Sequence, residues 1–214
     1  MTKSPVRHIP DGKQKEKGTK QKILDSALEE FSKHGLAGSR VEQIAERAGV
    51  NKAMLYYHYS SKENLYQEVI ESIFRVATER LSEILITPQS LEEIFKEMIE
   101  FYTDLFNSQP AFTPILIREL ANSESSMIEN IAEIISVSGA PVQIKRLIAA
   151  GEKKGHLRPI NIRHAIVLFL SLNIGYFVCA PIMDRVWNIK NRDKFIRERK
   201  KEVLDIFLNG IKSR

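Results

Sequence analysis

Residues 40–62 read Arg40-Val41-Glu42-Gln43-Ile44-Ala45-Glu46-Arg47-Ala48-Gly49-Val50-Asn51-Lys52-Ala53-Met54-Leu55-Tyr56-Tyr57-His58-Tyr59-Ser60-Ser61-Lys62. Val41, Ile44, Ala45 and Ala48 fall at helical spacing, and Gly49 breaks that helix after barely two turns. Asn51 is a capping residue for a third short helix over 52–59. Two short helices joined by a tight glycine-containing turn make a helix-turn-helix, a unit that lays its second helix in the major groove of DNA.

The surface of that second helix sharpens the reading. Lys52, Tyr56, Tyr57 and His58 crowd a segment of two turns, where an ordinary exposed helix carries Glu and Lys with few aromatics. Tyrosine hydroxyls, a histidine N–H and a lysine ammonium all donate to phosphate oxygens. Tyr59 reads as packing on the preceding helices, and Tyr56 stays open between packing and phosphate contact. Lys62 sits in the first turn of the next helix, where the macrodipole disfavours a cation. A lysine there makes sense if its ammonium and the exposed N–H groups converge on an anion. Charge distribution agrees: residues 1–62 hold 12 Lys+Arg against 7 Asp+Glu, and the remainder holds 20 against 20. The whole +5 excess therefore lies in the first third, as expected of a domain that meets a polyanion.

Outward from this core the pattern is helical throughout. Residues 1–18 read as a flexible basic arm, and Ile23, Leu24, Ala27, Leu28 and Phe31 line a helix from Thr19 to Gly35. Ser39 with Glu42, Ser60 with Glu63 and Ser90 with Glu93 each match a capping box. A long helix from the second box stops before Pro88, and one from the third runs through Phe106. A short helix is expected over 115–121. The next starts near Ser125, breaks at Gly139 and Pro141, and resumes to Lys154. Asn161 caps an apolar helix ending near Ala180, and the last helix spans 192–208 with Phe195, Val203, Ile206, Phe207 and Ile211 as its buried stripe. Nine or ten helices and no sheet follow. The fold class is all-α: an N-terminal three-helix DNA-binding domain over 19–66, then a helical bundle over 67–214 for dimerisation and ligand sensing.

Several classes are excluded. One cysteine, Cys179, permits neither an internal disulfide framework nor a cysteine-rich metal site. Five scattered histidines lack metal-ligand spacing, and no phosphate-binding glycine loop or nucleophile elbow occurs. No catalytic residue, metal or cofactor is expected, so the chain does not read as an enzyme. The lysine-rich start has no apolar run of a signal peptide, which points to the cytoplasm. Residues 165–183 carry no charge, but Ser171, Asn173 and Pro181 argue for a helix buried between its own core and a partner subunit rather than a membrane span.

The stretch Thr19-x3-Ile23-Leu24-x2-Ala27-x3-Phe31-x3-Gly35, then Ile44-Ala45-x2-Ala48-Gly49-Val50, then Leu55-Tyr56-Tyr57-His58-Tyr59-x2-Lys62-x2-Leu65 closely resembles the DNA-binding domain of the TetR family of transcriptional regulators. The resemblance implies that Tyr56, His58 and Lys62 contact phosphates and that Lys52, Ala53 and Tyr57 face the groove. With Lys20, Ser39, Arg40, Asn51 and Met54 these form the candidate DNA-contacting set. Asn51 stands where Ser or Thr is common and keeps the cap. Met54 replaces a small or hydroxyl residue, and Tyr59 replaces Phe. Beyond about residue 66 the resemblance is one of layout only: a helical dimer with an internal ligand cavity.

Candidate residues for that cavity are Phe74, Phe101, Tyr102, Phe106, Phe112, Arg118, Asn122, Asn173, Tyr176 and Phe177, aromatic or polar groups on otherwise apolar faces. Arg118, inside Ile115-Leu116-Ile117-Arg118-Glu119-Leu120, reads as a buried cation needing Glu119, another helix or an anionic effector. The expected function is a repressor that binds a pseudo-palindromic operator as a homodimer through its last two helices, Phe207 included, and is released by a small molecule. Two alternatives stay open: a DNA-binding regulator without a small-molecule ligand, and a helical scaffold that has lost DNA binding.

Overall fold

In the computed structural model the backbone is described for residues 12–121 and 126–213, and side chains from residue 18 onward. Ten helices run in order: α1 (Gly12–Gly38), α2 (Val41–Ala48), α3 (Lys52–Tyr59), α4 (Lys62–Ile86), α5 (Leu91–Ser108), α6 (Phe112–Ala121), α7 (Ser126–Val137), α8 (Ala140–Lys153), α9 (Ile162–Val186) and α10 (Arg192–Ile211). Among the described residues the β pairing is a single Leu157–Lys212 bridge. The chain forms two compact units that divide between Ile70 and Glu71, so α4 contributes to both.

In the first unit α1 packs on α2, and α2 on α3. Ile23, Ala27, Phe31, Ile44, Leu55 and Leu65 are buried at its centre, and Phe31 meets Tyr66 edge-on at 4.9 Å. The helix starts at Gly12, seven residues before the expected Thr19, because Lys13 to Lys17 are good helix formers and only Gly18 opposes them. Residues 1–11, the rest of the expected arm, lie outside the described residues. Gly35 does interrupt the helix, with φ 67°, before the chain turns into α2.

The second unit is built around α5, α9 and α10, which pack on one another. Its core includes Ile84, Phe95, Ile99, Phe169, Val203, Phe207 and Ile211. The Ser90–Glu93 capping box forms as expected: Ser90 Oγ accepts from the Glu93 N–H at 3.2 Å, and the Ser90 N–H donates to Glu93 Oε2 at 2.8 Å. That donated hydrogen bond holds the Glu93 carboxyl below the usual carboxylate range. Gly139, at φ 76°, separates α7 from α8.

Two expectations need correction here. α9 passes through Pro181 to Val186 instead of ending at Ala180. The turn after the proline is tied down by Tyr176, whose hydroxyl donates to Asp184 Oδ1 at 2.8 Å. In α10, Ile206 is 57% exposed while Phe207 is 6% exposed and meets the rings of Phe95 and Phe169. Phe207 follows Val203 at i+4 and shares its inner face with Leu208 and Ile211, whereas Ile206, expected in the buried stripe, falls on the outer face. Phe207 is therefore core, not an exposed interface residue.

α9 is long and apolar enough by length and composition to cross a membrane. Its faces differ, however. Ala165, Phe169, Asn173, Tyr176, Phe177 and Ala180 are buried, while Val167, Leu168, Val178 and Ile182 are exposed.

Candidate nucleic-acid interface

The turn between α2 and α3 is set by backbone chemistry. Gly49 adopts φ 68° and ψ 33°, a left-handed conformation that glycine accepts without a Cβ penalty. Asn51 Oδ1 then accepts from the Met54 N–H at 2.7 Å and starts α3. Leu55 and Tyr59 turn inward, and the Tyr59 hydroxyl donates to the Lys20 carbonyl at 3.3 Å. Burial pushes the Tyr59 phenol up to about 12, so the hydroxyl remains a donor. With those two residues locked, Lys52, Ala53, Met54, Tyr56 and Tyr57 all face outward. Tyr57 is 76% exposed, the most open large side chain of the unit's aromatic set.

Beside this face lies a cleft of about 420 Å³ lined by Arg40, Lys52, Tyr56, Ser60, Ser61 and Lys62, among others. Lys52 Nζ donates to Glu42 Oε1 at 2.5 Å and lies 5.8 Å from the Tyr56 ring centroid. The contact holds the Glu42 carboxyl below, and the Lys52 ammonium above, their ordinary ranges. Lys62 Nζ donates to the Ser39 carbonyl at 3.3 Å. The cleft thus sets Arg40, Lys52 and Lys62 against two carboxylates, Glu42 and Glu63, at the N-terminal ends of α2 and α4, where the helix dipoles favour an anion.

The remaining members of the candidate set are placed differently. Ser39 is buried, and its hydroxyl donates inward to the Gly35 and Glu30 carbonyls, so the expected Ser39–Glu42 box does not form and Arg40 occupies the N-cap. The Ser60–Glu63 box is also absent. Ser60 ends α3 at φ 56°, and Ser61 Oγ caps α4 by accepting from the Asn64 N–H at 3.0 Å. His58 is half-buried, with Nε2 enclosed and unpartnered between Tyr57 and Tyr59. It lines, with Lys20, a second cleft of about 370 Å³.

One positioning residue escaped the sequence reading. Glu30 is buried, accepts from the Arg40 backbone N–H at 3.4 Å, and pairs with Arg47 at 3.6 Å. It ties α1 to both ends of α2. An acidic residue on the inner face of α1, four residues after Ser26, was the available signal.

In the second unit the aromatic candidates do converge. Phe112 lies 5.8 Å from Phe74 and 5.4 Å from Phe106, Phe106 stacks on Phe177 at 5.5 Å, and Phe177 meets Tyr176 at 5.3 Å. Phe101 and Tyr102 form a separate pair, of which Tyr102 meets Phe169 at 6.1 Å. Asn173 is fully buried. Arg118 is exposed, contrary to its expected burial, because Ile115, Leu116 and Glu119 occupy the inner face of α6. Asn122 lies outside the described residues.

The chain's relatives agree with this construction. Residues 23–69 match the model of the bacterial regulatory proteins of the tetR family, and residues 92–205 match the tetracyclin repressor-like C-terminal domain. The chain belongs to the TetR family. It is a DNA-binding transcriptional regulator and not an enzyme. It is 32% identical over 160 residues to the HTH-type transcriptional repressor NicS of Pseudomonas putida, covering 74% of this chain and 75% of that one. It is 29% identical to the HTH-type transcriptional regulator RutR of Escherichia coli O157:H7 over the full length of both. Its fold is similar to that of the fatty acid degradation regulator FadR from Bacillus halodurans, with a TM-score of 0.70 at 18% identity over 89% of this chain and 98% of that one. FadR from Bacillus subtilis, solved in complex with stearoyl-CoA, matches at a TM-score of 0.67 and 20% identity, with the same coverage.

Proposed function

We propose that this regulator is a cytoplasmic repressor that binds a pseudo-palindromic operator as a homodimer and is released by a small-molecule effector. The observation that carries the DNA half is the outward face of α3: Leu55 and Tyr59 are locked inside while Lys52, Ala53, Met54, Tyr56 and Tyr57 are exposed on the side that would enter a major groove. Lys62, Arg40 and Lys52 would hold phosphates at the adjoining cleft, and Lys20 and His58 would flank the backbone on the other side. Asn51 acts through its cap. Ser39 contributes its fold position rather than its hydroxyl.

The exposed apolar residues of α9, together with Ile206 of α10, are the surface that a second copy would cover. Two such helices from each protomer make a four-helix interface about a two-fold axis. The effector would lie among the aromatics of α5, α6 and α9, and α4, shared by both units, would carry its effect to the operator-binding face. To act as inducer it must bind the DNA-incompetent state more tightly.

A second reading, a regulator with no small-molecule ligand, draws on the direct ring-to-ring packing of Phe106, Phe112 and Phe177. Mobility-shift titration of the DNA flanking its own gene tests the main reading. Two protomers per site are expected, and cell extract metabolites should release them. Binding by one protomer, or no release by any fraction, would contradict the respective part.

A further inference from the structure

We infer that Arg199, Asn173 and Thr103 together anchor the effector, and that it is a small organic carboxylate whose body carries a hydrogen-bond donor; the inference rests on the effector reading above.

Each of the three mutually packed helices has one polar side chain where its buried stripe calls for an apolar one. In α5 the stripe is Phe95, Ile99, Thr103, Phe106; in α9 it is Phe169, Asn173, Phe177; in α10 the half-buried Arg199 falls in helical phase with the buried Ile196, Val203 and Phe207. Ring contacts fix the register between them. Phe95, Phe169 and Phe207 meet pairwise at 5.8, 5.1 and 5.0 Å and form one aromatic layer. Phe106, Phe177, Tyr176 and Phe195 form a second, through contacts of 5.5, 5.3 and 5.1 Å. Thr103 lies between Phe95 and Phe106, Asn173 between Phe169 and Phe177, and Arg199 between Phe195 and Phe207. All three therefore share the level between the two layers. The Lys200–Asp104 ion pair at 2.6 Å fixes the neighbouring residues of α10 and α5 at that height.

At this level Thr103 Oγ1, Asn173 Oδ1 and Arg199 Nη1 are all buried without a hydrogen-bond partner. Buried polar atoms are almost always paired, so three orphans on one level need a common explanation. The Asn173 amide is oriented by Nδ2, which donates to the Phe169 carbonyl at 2.7 Å and leaves Oδ1 as acceptor. Arg199 Nη2 donates to the Leu172 carbonyl, and its guanidinium lies 5.3 Å from the Tyr176 ring centroid. Among the described residues no carboxylate pairs with Arg199: Asp104 is taken by Lys200, and Asp184 by Tyr176 and Arg192. Burial lowers the Arg199 pKa, the expected cost of an unpaired enclosed cation. The unmet valences are one cationic guanidinium nitrogen, Nη1, a hydroxyl and an acceptor. Their complement is an anion for Arg199 and a donor for Asn173 on one small molecule.

Calorimetric titration of the full-length protein with 4-hydroxybenzoate, benzoate and 4-hydroxybenzamide tests this. 4-Hydroxybenzoate should bind best, with loss of its donor or its charge each weakening binding about tenfold. Arg199→Met should weaken 4-hydroxybenzoate by about 10–100-fold. The same change should raise the ligand-free thermal midpoint by about 2–4 °C, because it removes a half-buried cation with no carboxylate partner. Arg199→Lys, which keeps the charge and loses the planar fork, should fold and also bind weakly. Equal binding of acid and amide, no binding of any probe, undiminished binding by both variants, or a lowered midpoint in Arg199→Met would each overturn the anchor. Binding that needs Arg199 but leaves DNA affinity unchanged would support the anchor and overturn the effector reading. Release from DNA that persists in Arg199→Met would do the reverse.

Discussion

The ammonium of Lys62 lies 3.3 Å from the carbonyl oxygen of Ser39, so one cation bridges the start of α4 and the residue that precedes the N-cap of α2. A phosphate at the adjoining cleft would take over that ammonium without moving the backbone. Lys62→Ala should therefore weaken binding to all DNA sequences alike and lower the slope of log affinity against log salt by about one unit. Anisotropy titrations between low and moderate salt measure the slope, and an unchanged slope rules out the phosphate role.

Tyr57 and Leu55 are two residues apart on α3 and face opposite ways. Tyr57→Ala should leave thermal stability nearly unchanged and relax base preference by roughly 1–3 kcal/mol at one position of each half-site, if the ring or hydroxyl reads a base edge. Leu55→Ala should instead cost about 2–5 kcal/mol of stability in the first unit. Denaturant melts and competition with single-base operator variants separate the two. A destabilised Tyr57→Ala protein would show the ring to be structural.

Dimerisation is tested on the outer faces of α9 and α10. Leu168→Asp and Ile206→Asp should give folded monomers in sedimentation at micromolar concentration and should lower operator affinity. Phe207→Asp should unfold the second unit instead, because its ring lies among Phe95 and Phe169. Persisting dimers in both surface variants would place the interface elsewhere.

The capping box at the start of α5 has a pH signature. Glu93 has a lowered folded pKa, so its stabilising effect is full above the unfolded carboxylate pKa and is lost as pH falls through the folded value. Between about pH 6 and about pH 3 the wild type should lose more stability than Glu93→Gln does. Ser90→Ala should cost about 1 kcal/mol at neutral pH by removing the cap itself. Identical pH profiles for wild type and Glu93→Gln would show that the box contributes nothing in solution.

The helix-turn-helix was legible because Gly49 and Asn51 encode their turn and cap locally, and because charge and aromatics cluster on eight residues of α3. Ser90 was legible for the same reason. Ser39 and Ser60 were misread because capping boxes are degenerate where serines abound. Ser61 stands next to Ser60, and Ser39 finds better acceptors in the Gly35 and Glu30 carbonyls. Tertiary partners decide such choices, and sequence spacing does not contain them. The two arginines show the same limit. Arg118 drew notice through its apolar neighbours, yet its position on α6 points outward. Arg199 sits in a run of charges, Arg197-Glu198-Arg199-Lys200-Lys201, but falls three residues after Ile196 and four before Val203, in phase with the buried stripe, and is half-buried. Helical phase, not local composition, separated them. Pro181 misled for a related reason, since a helix can cross a proline when the following turn is anchored from elsewhere.

The most direct test of the account is a salt series of anisotropy titrations on a labelled duplex from the DNA flanking the gene, with a scrambled duplex of equal length as reference. Wild-type protein and the Lys52→Ala/Tyr57→Ala double variant are compared. The wild type should bind both duplexes in a salt-sensitive manner and prefer the native one by about 10³-fold or more. The double variant should retain a salt-sensitive affinity and lose most of that preference. Undiminished preference in the double variant, or no salt-sensitive affinity for either duplex, would contradict this prediction.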